Sequence, residues 1–330
     1  MSTQTDFIEK LTIKVKNAPI KTIVFPEGEV PCIVNAAVRL QKDGLVNPIL
    51  IGNKETVENL LEKAGGSGIP VLEPQADPKA EIYSAVFSEF SGIPESACKR
   101  MVIKPLFFAT MMVHQLEVHG MVAGIDCPTA EVIAVSELIL GLKKGCSRPS
   151  SFYILDIPGF EGSEGSRLVF ADPAVNPNPS SEELADIAIA TAESVTELLG
   201  WTPRVALLSF STKGSAEHED VDKVTEAVRL IHERAPTLLV DGELQADAAL
   251  LPETAAKKTG ATGPVAGLAN VLIFPDLDAA NIGSKLVQIL AKAGSFGPVL
   301  QGFSRPVSDL SRGASADDIF RTALLVAARS

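Results

Sequence analysis

The sequence predicts an α/β protein of two domains built on mostly parallel sheets, and three observations predict it. The chain is 330 residues long, more than one hydrophobic core usually serves. Hydrophobic residues make up 46% of it but aromatics only 5%, so the core is aliphatic, as suits parallel strands covered by helices. Short β-rich runs alternate with amphipathic helical patterns, the signature of βαβ units, and no internal repeat interrupts them.

The elements follow in order. Residues 22–25 form a strand ending in Pro26-Glu27-Gly28, residues 33–42 a helix, and residues 48–51 the next strand before Gly52. Further turns lead to a strand at 121–123. Gly65-Gly66-Ser67-Gly68 lacks a strand-to-helix context, so it reads as a turn and not as a dinucleotide-binding loop. The linker 145–151 and a strand at 152–155 set a domain boundary near residue 147. Helix 182–199 opens on a Ser180/Glu183 capping box, repeats Leu184, Ile187, Thr191, Val195 and Leu198, and stops at Gly200. Strand 205–209, the loop 211–215 and a helix with Val221, Val224, Val228 and Ile231 on one face come next. Strands at 238–240 and 271–274, a helix at 281–292 and a strand at 298–302 follow. A polar loop then leads to the final helix, 315–328.

Charge and cysteine usage exclude several functions. Lys and Arg total 29 against 41 Asp and Glu, a net charge of −12, which argues against a nucleic-acid binder or a polybasic membrane anchor. Residues 1–10 lack an apolar signal core, and no run approaches the ~20 apolar residues of a membrane helix. Cys32, Cys98, Cys127 and Cys146 form no CxxC pair, so the expectation is a reducing cytoplasm without disulfides. His114 and His119 stand five apart, a spacing that does not put both on one helix face for a metal.

Ligands of parallel α/β sheets bind beyond the carboxyl ends of strands. Those ends here are dense in Asp, Asn, Ser and Gly at 172–178, 209–215, 241–243 and 274–276. Any one of these loops reads as a turn or cap; together they favour a shared cleft. The sharpest candidate is the loop 308–313, where Asp309, two serines and Arg312 fall within five residues. Arg312 can grip a phosphate or carboxylate with its fork, and Ser311 can hydrogen-bond a reacting oxygen. Asp318 has two readings: partner of Ser315 in a capping box, or general base for the same pocket.

Several segments together resemble the phosphotransacetylase family. They are Phe170-Ala171-Asp172, Ala174-Val175-Asn176-Pro177, the run 208–215, the run 241–249, the run 269–277, Asn281-Ile282-Gly283, and Asp309-Leu310-Ser311-Arg312-Gly313, with Phe25-Pro26-Glu27-Gly28 and the run 120–124 earlier. The resemblance implies two α/β domains flanking a cleft, as in isocitrate and isopropylmalate dehydrogenases. The first would hold 1–147 and 299–330, the second 148–298 and a dimer contact. It implies a homodimer and reversible transfer of an acetyl group between acetyl phosphate and CoA, giving acetyl-CoA and phosphate. CoA would be a substrate, with no tightly bound cofactor and no metal. Asp318 would take the thiol proton, Ser311 would hydrogen-bond the reacting centre, and Arg312 would bind phosphate. Thr129, Ser211, Lys213, Asn281, Gly283 and Asp309 would contact substrate or CoA.

Three family arginines are replaced here, by Cys32, Ser88 and Ala134. A charge-assisted hydrogen bond contributes roughly 1.5–3 kcal/mol, so three readings stay open. Arg100, Lys104 or Lys213 substitutes; the acyl or phosphate-side substrate differs, as in a butyryl-type enzyme; or the chain is a weakly active paralogue that senses a ligand.

Overall fold

A computed structural model describes residues 3–260 and 263–330. Its strands are β1 (Lys21–Phe25), β2 (Val46–Ile51), β3 (Val71–Leu72), β4 (Gly120–Ala123), β5 (Ser150–Asp156), β6 (Arg167–Ala171), β7 (Arg204–Leu208), β8 (Leu239–Leu244), β9 (Val271–Ile273), β10 (Gly294–Gln301) and β11 (Val307–Asp309). They fall into two compact units, Thr5–Lys143 with Phe303–Ser330, and Lys144–Gly302. We call these the N-terminal and central units.

The N-terminal unit is a parallel sheet in the order β11-β4-β1-β2-β3. Its middle strand β1 buries Ile23, Val24 and Phe25 completely, because a parallel strand covered on both faces reads as a continuous apolar run rather than an alternation. The helix Pro31–Lys42 starts on a proline whose missing N–H costs nothing there, and buries Ile33, Val34, Ala37 and Leu40. The last helix, Ala316–Ala328, buries eight residues against this same sheet and Pro31–Lys42. Arg39 fastens that packing, lying 4.0 Å over the Phe320 ring and 2.5 Å from Asp317.

The central unit has the order β10-β5-β6-β9-β7-β8. β6, β9, β7 and β8 run parallel, while β5 is antiparallel to both β6 and β10. The capping box of helix Ser181–Leu199 is present in full, with Gly200 left-handed at its end. Thr191, the polar member of its stripe, is buried and donates to Ile187 O at 2.6 Å.

The structure departs from the sequence reading in several places: helices Thr3–Asn17 and Thr129–Leu140 and strand β6 are unexpected, and four further differences bear on the fold. β10 begins at Gly294 and pairs with β5 along its length, so the chain leaves the central unit after Gly302 and not at 298. Residues 52–120 hold four helices in place of a series of turns, Lys54–Lys63, Lys79–Ser91, Glu95–Val102 and Pro105–His114. Pro105–His114 buries every residue from 106 to 113, and a helix apolar on all sides shows no 3.6-residue period to find. Helix Leu277–Leu290 starts four residues earlier than expected, where Asp276 caps it by accepting from Ala279 N at 2.8 Å. Ser308 and Asp309, assigned to a loop, end strand β11, which is too short and too polar to read as one.

Candidate active site

In the N-terminal unit, the carboxyl ends of β1, β4 and β11 lie side by side because those strands are sheet neighbours. Glu27, two residues beyond β1, is 8% exposed. Its carboxylate accepts four backbone amides of the loop after β4: Gly124 and Ile125 on Oε2, both at 3.0 Å, and Asp126 and Cys127 on Oε1 at 2.8 and 2.9 Å. A buried carboxylate needs such donors to offset its lost hydration. The loop is thereby moulded around Glu27.

That loop feeds directly into helix Thr129–Leu140, whose N-cap, Pro128, offers no side-chain cap. Thr129 Oγ1 instead donates to Asp309 Oδ2, 2.5 Å away at the end of β11. Asp309 is 2% exposed, and among the described residues its other oxygen, Oδ1, has no hydrogen-bond partner. Burial pushes the Asp309 carboxyl up to about 7; the Thr129 hydroxyl and Leu310 amide oppose this, and the Glu27 charge adds to it. The Cys127 thiol is pushed up to about 12 by burial, with the neighbouring Glu27 and Glu131 carboxylates adding. At that value it is not a nucleophile near neutral pH.

Beyond Asp309, buried Leu310 anchors the chain, and Ser311 and Arg312 emerge exposed. A turn, Ala314 N to Ser311 O at 2.8 Å, brings the chain to Ser315. The structure realises the capping reading of Asp318: its Oδ2 accepts from Ser315 N at 2.9 Å and from Ser315 Oγ at 2.7 Å. The residue stays exposed. Ser311, Arg312, Asp318, Thr129 and Asp309 thus belong to one end of one sheet.

Of the expected residues of the central unit, Ser211 and Lys213 follow strand β7, while Asn281 and Gly283 lie in helix Leu277–Leu290. Ser211 is fully buried, donating to Glu243 Oε1 at 2.9 Å and accepting from Ala216 N at 3.1 Å, and these bonds shape its loop. Lys213 has a left-handed backbone, φ 50°, and its ammonium is taken up by Asp241 and by Gly242 O at 2.8 Å. Asn281 lies inside its helix rather than at its start and donates to Pro173 O at 3.0 Å. Gly283 faces Phe274 across a gap that a Cβ would narrow to 3.3 Å. The nearby Asp172 is buried and accepts from Ser151, Ala174, Val175 and Asn176, which together fold the loop after β6.

Cys32 is the second residue of helix Pro31–Lys42, and Ala134 is exposed on Thr129–Leu140. Ser88 spends its hydroxyl on Ile93 O at 2.6 Å. Arg100 and Lys104 are exposed. Among the described residues no group of three or more His, Cys, Asp or Glu is placed to hold a metal. His114 stacks on Phe90, and His119 Nδ1 accepts from Thr22 N at 3.0 Å. Glu27 escaped the sequence reading as a site residue. Its signal was an acidic residue set two positions beyond a strand that ends in three buried apolar residues, Ile23, Val24 and Phe25.

Comparison with known proteins decides the family. The profile for phosphate acetyl/butaryl transferase matches residues 6–327. The chain belongs to that family. It is 44% identical over 302 residues to the phosphate acetyltransferase of Thermoanaerobacterium thermosaccharolyticum, covering 91% of this chain and 92% of the relative. It is 39% identical to the phosphate acetyltransferase of Acetivibrio thermocellus, with 98% of each chain covered. A phosphotransacetylase from Streptococcus pyogenes superposes with a TM-score of 0.93 at 39% identity, over 100% of this chain and 99% of that one. In this phosphate acetyl/butaryl transferase family member, the matched span includes the whole β1, β4 and β11 cluster.

Proposed function

We infer that the protein is an acyltransferase that moves an acetyl group reversibly between acetyl phosphate and CoA. The observation that carries this reading is local: Ser311 and Arg312 stand exposed beyond β11, Asp318 follows on the next helix, and Glu27, Thr129 and Asp309 fix the ground beneath them. Relatives named phosphate acetyltransferase, at 36–44% identity, support acetyl over a longer acyl group.

The roles follow from the chemistry. Asp318 accepts the CoA thiol proton, and the thiolate sulfur forms a bond to the acetyl carbonyl carbon. Ser311 donates to the carbonyl oxygen as charge develops on it. The carbon–oxygen bond to phosphate then breaks, and phosphate leaves with the electron pair, held by the Arg312 fork. No step uses a metal or a resident cofactor.

Because Asp318 also caps its helix, two variants separate its roles. Asp318→Asn is expected to lower kcat by roughly 10²–10⁴. Ser315→Ala removes the cap hydroxyl but keeps the carboxylate, and is expected to cost about 1 kcal/mol of stability with kcat nearly unchanged. Equal losses of kcat in both, measured as acetyl-CoA formed, would reduce Asp318 to a cap.

A homodimer through the central unit fits the surface. Helix Leu277–Leu290 exposes Ile282, Leu286, Ile289 and Leu290, the last two at 73% and 77%, an apolar stripe of the kind that a second copy covers. Sedimentation giving the mass of one chain would contradict it. Among the described residues Cys32, Cys98, Cys127 and Cys146 form no disulfide, which suits the cytoplasm. No helix of the described residues is long and apolar enough to cross a membrane.

A further inference from the structure

We propose that Asp309 is a positioning residue for the acyl transfer: through Thr129 it latches the Ser311–Arg312 segment to the N-terminus of helix Thr129–Leu140, and it does not itself touch substrate. This rests on the reaction inferred above and names a part of the site that the reaction scheme leaves idle.

The geometry is specific. β11 and β4 pair with Asp309 opposite Ala123, so the Asp309 side chain leaves the sheet beside Gly124. A Cβ on Gly124 would stand 2.7 Å from Leu310 N and closer still to Asp309 Oδ1. The carboxylate is therefore pressed between the β4 loop and its own chain, with 2% of its surface left to solvent. A residue so covered is not placed to meet CoA or a phosphate. Its one side-chain bond among the described residues, accepted from Thr129 Oγ1 at 2.5 Å, joins two segments that Glu27 does not join. Glu27 holds 124–127 to the end of β1, while Asp309 holds residue 129 to the end of β11. Ser311 is two residues further along that strand end. Its place beyond the end of β11 thus depends on the Asp309–Thr129 bond and on the burial of Leu310.

The two carboxylates differ in a way that makes the latch sensitive to pH. Glu27 accepts four amides, whereas Asp309 has one oxygen without a partner. Glu27 is the charged group facing Asp309; Thr129 approaches from the helix, Gly124 from the β4 loop and the Leu310 amide from its own chain. A hydrogen bond to an ionised carboxylate is roughly twice as strong as one to its neutral form. The latch is therefore tight above the Asp309 midpoint of about 7 and looser below it.

The test follows kcat and KM for acetyl phosphate and CoA from about pH 6 to pH 9 in wild type, Thr129→Val, Thr129→Ser and Asp309→Asn, with Tm recorded for each. Wild-type kcat is expected to rise through an inflection near 7 that Asp309→Asn removes. Thr129→Val is expected to lower kcat about tenfold, the worth of one charge-assisted bond, with both KM values little changed, and Thr129→Ser to restore it. An inflection that survives Asp309→Asn, or a Thr129→Val enzyme with wild-type kcat, would overturn the latch while leaving the inferred reaction standing. The amide proton signals of Leu310 and Ser311 give the same test without turnover. They should shift with a midpoint near 7 in wild type and not in Asp309→Asn; identical titrations in the two proteins would overturn the latch even if no acetyl transfer is found.

Discussion

Glu27→Gln is expected to destabilise the N-terminal unit by about 2–6 kcal/mol and to remove most of the turnover. A carboxylate presents two acceptor oxygens, and all of that capacity meets the amides of residues 124–127. A carboxamide keeps one oxygen and turns an NH₂ toward the other pair, so two buried amides face a donor. Each buried group left unsatisfied costs roughly 1–3 kcal/mol, which gives the stated range. The corresponding fall in Tm is on the order of 10 °C for a unit of this size. Turnover falls because the same loop delivers Thr129 to Asp309. Urea unfolding and amide exchange of residues 124–127 check this together. A variant within about 1 kcal/mol of wild type, with the loop amides still protected, would show that the carboxylate does not hold the loop.

Gly124→Ala is expected to cost about 3–5 kcal/mol, from two causes that act at once. The backbone there has φ 114°, which L side chains rarely adopt. The added methyl also collides with the Asp309 carboxylate and lies 2.7 Å from Leu310 N, both in the body of the site rather than at a yielding surface. The collision predicts coupling. Asp309→Ala should relieve part of the Gly124→Ala penalty, so the double variant should be more stable than the sum of the singles implies. Thermal unfolding of the four proteins measures the term. Strict additivity would mean that the penalty is backbone strain alone.

The fold was legible where local pattern and burial agree. Helix Ser181–Leu199 could be read to within a residue because its capping box, its stripe and Gly200 all act locally. Strand β1 was legible because both its faces are buried. What escaped depended on partners far along the chain. β6 is a strand by its pairing with β5 and β9, and β11 is three residues long and polar at its end, stabilised by β4, about 185 residues earlier in the sequence. The site divides the same way. Ser311, Arg312 and Asp318 are close in sequence, so their association was visible as a motif. The bonds that fix them, Glu27 to 124–127 and Asp309 to Thr129, span separations of 97 to 180 residues and leave no local signature. Ser211, Lys213 and Asn281 show the same. Their polar atoms are engaged by Glu243, Asp241 and Pro173, partners 28 to 108 residues away in the sequence that no local pattern announces.

On the inferred reaction, the replacement of three expected arginines by Cys32, Ser88 and Ala134 is expected to weaken substrate binding and to leave Asp318, Ser311 and Arg312, the groups given the chemical roles, in place. Lys213 is a poor substitute, since Asp241 already neutralises it. Arg100 and Lys104 are exposed and lie in the same unit as Ser311. The expected signature is a raised KM for acetyl phosphate with the chemical step intact.

The central claim is tested most directly by measuring CoA-dependent release of phosphate from acetyl phosphate by the unaltered protein, with butyryl phosphate run in parallel. Turnover on acetyl phosphate that requires CoA, exceeds that on butyryl phosphate and yields acetyl-CoA in equal amount is the predicted result. A folded protein that releases no phosphate from either substrate in the presence of CoA would contradict the assignment and leave this fold as a ligand-sensing relative of the enzymes it resembles.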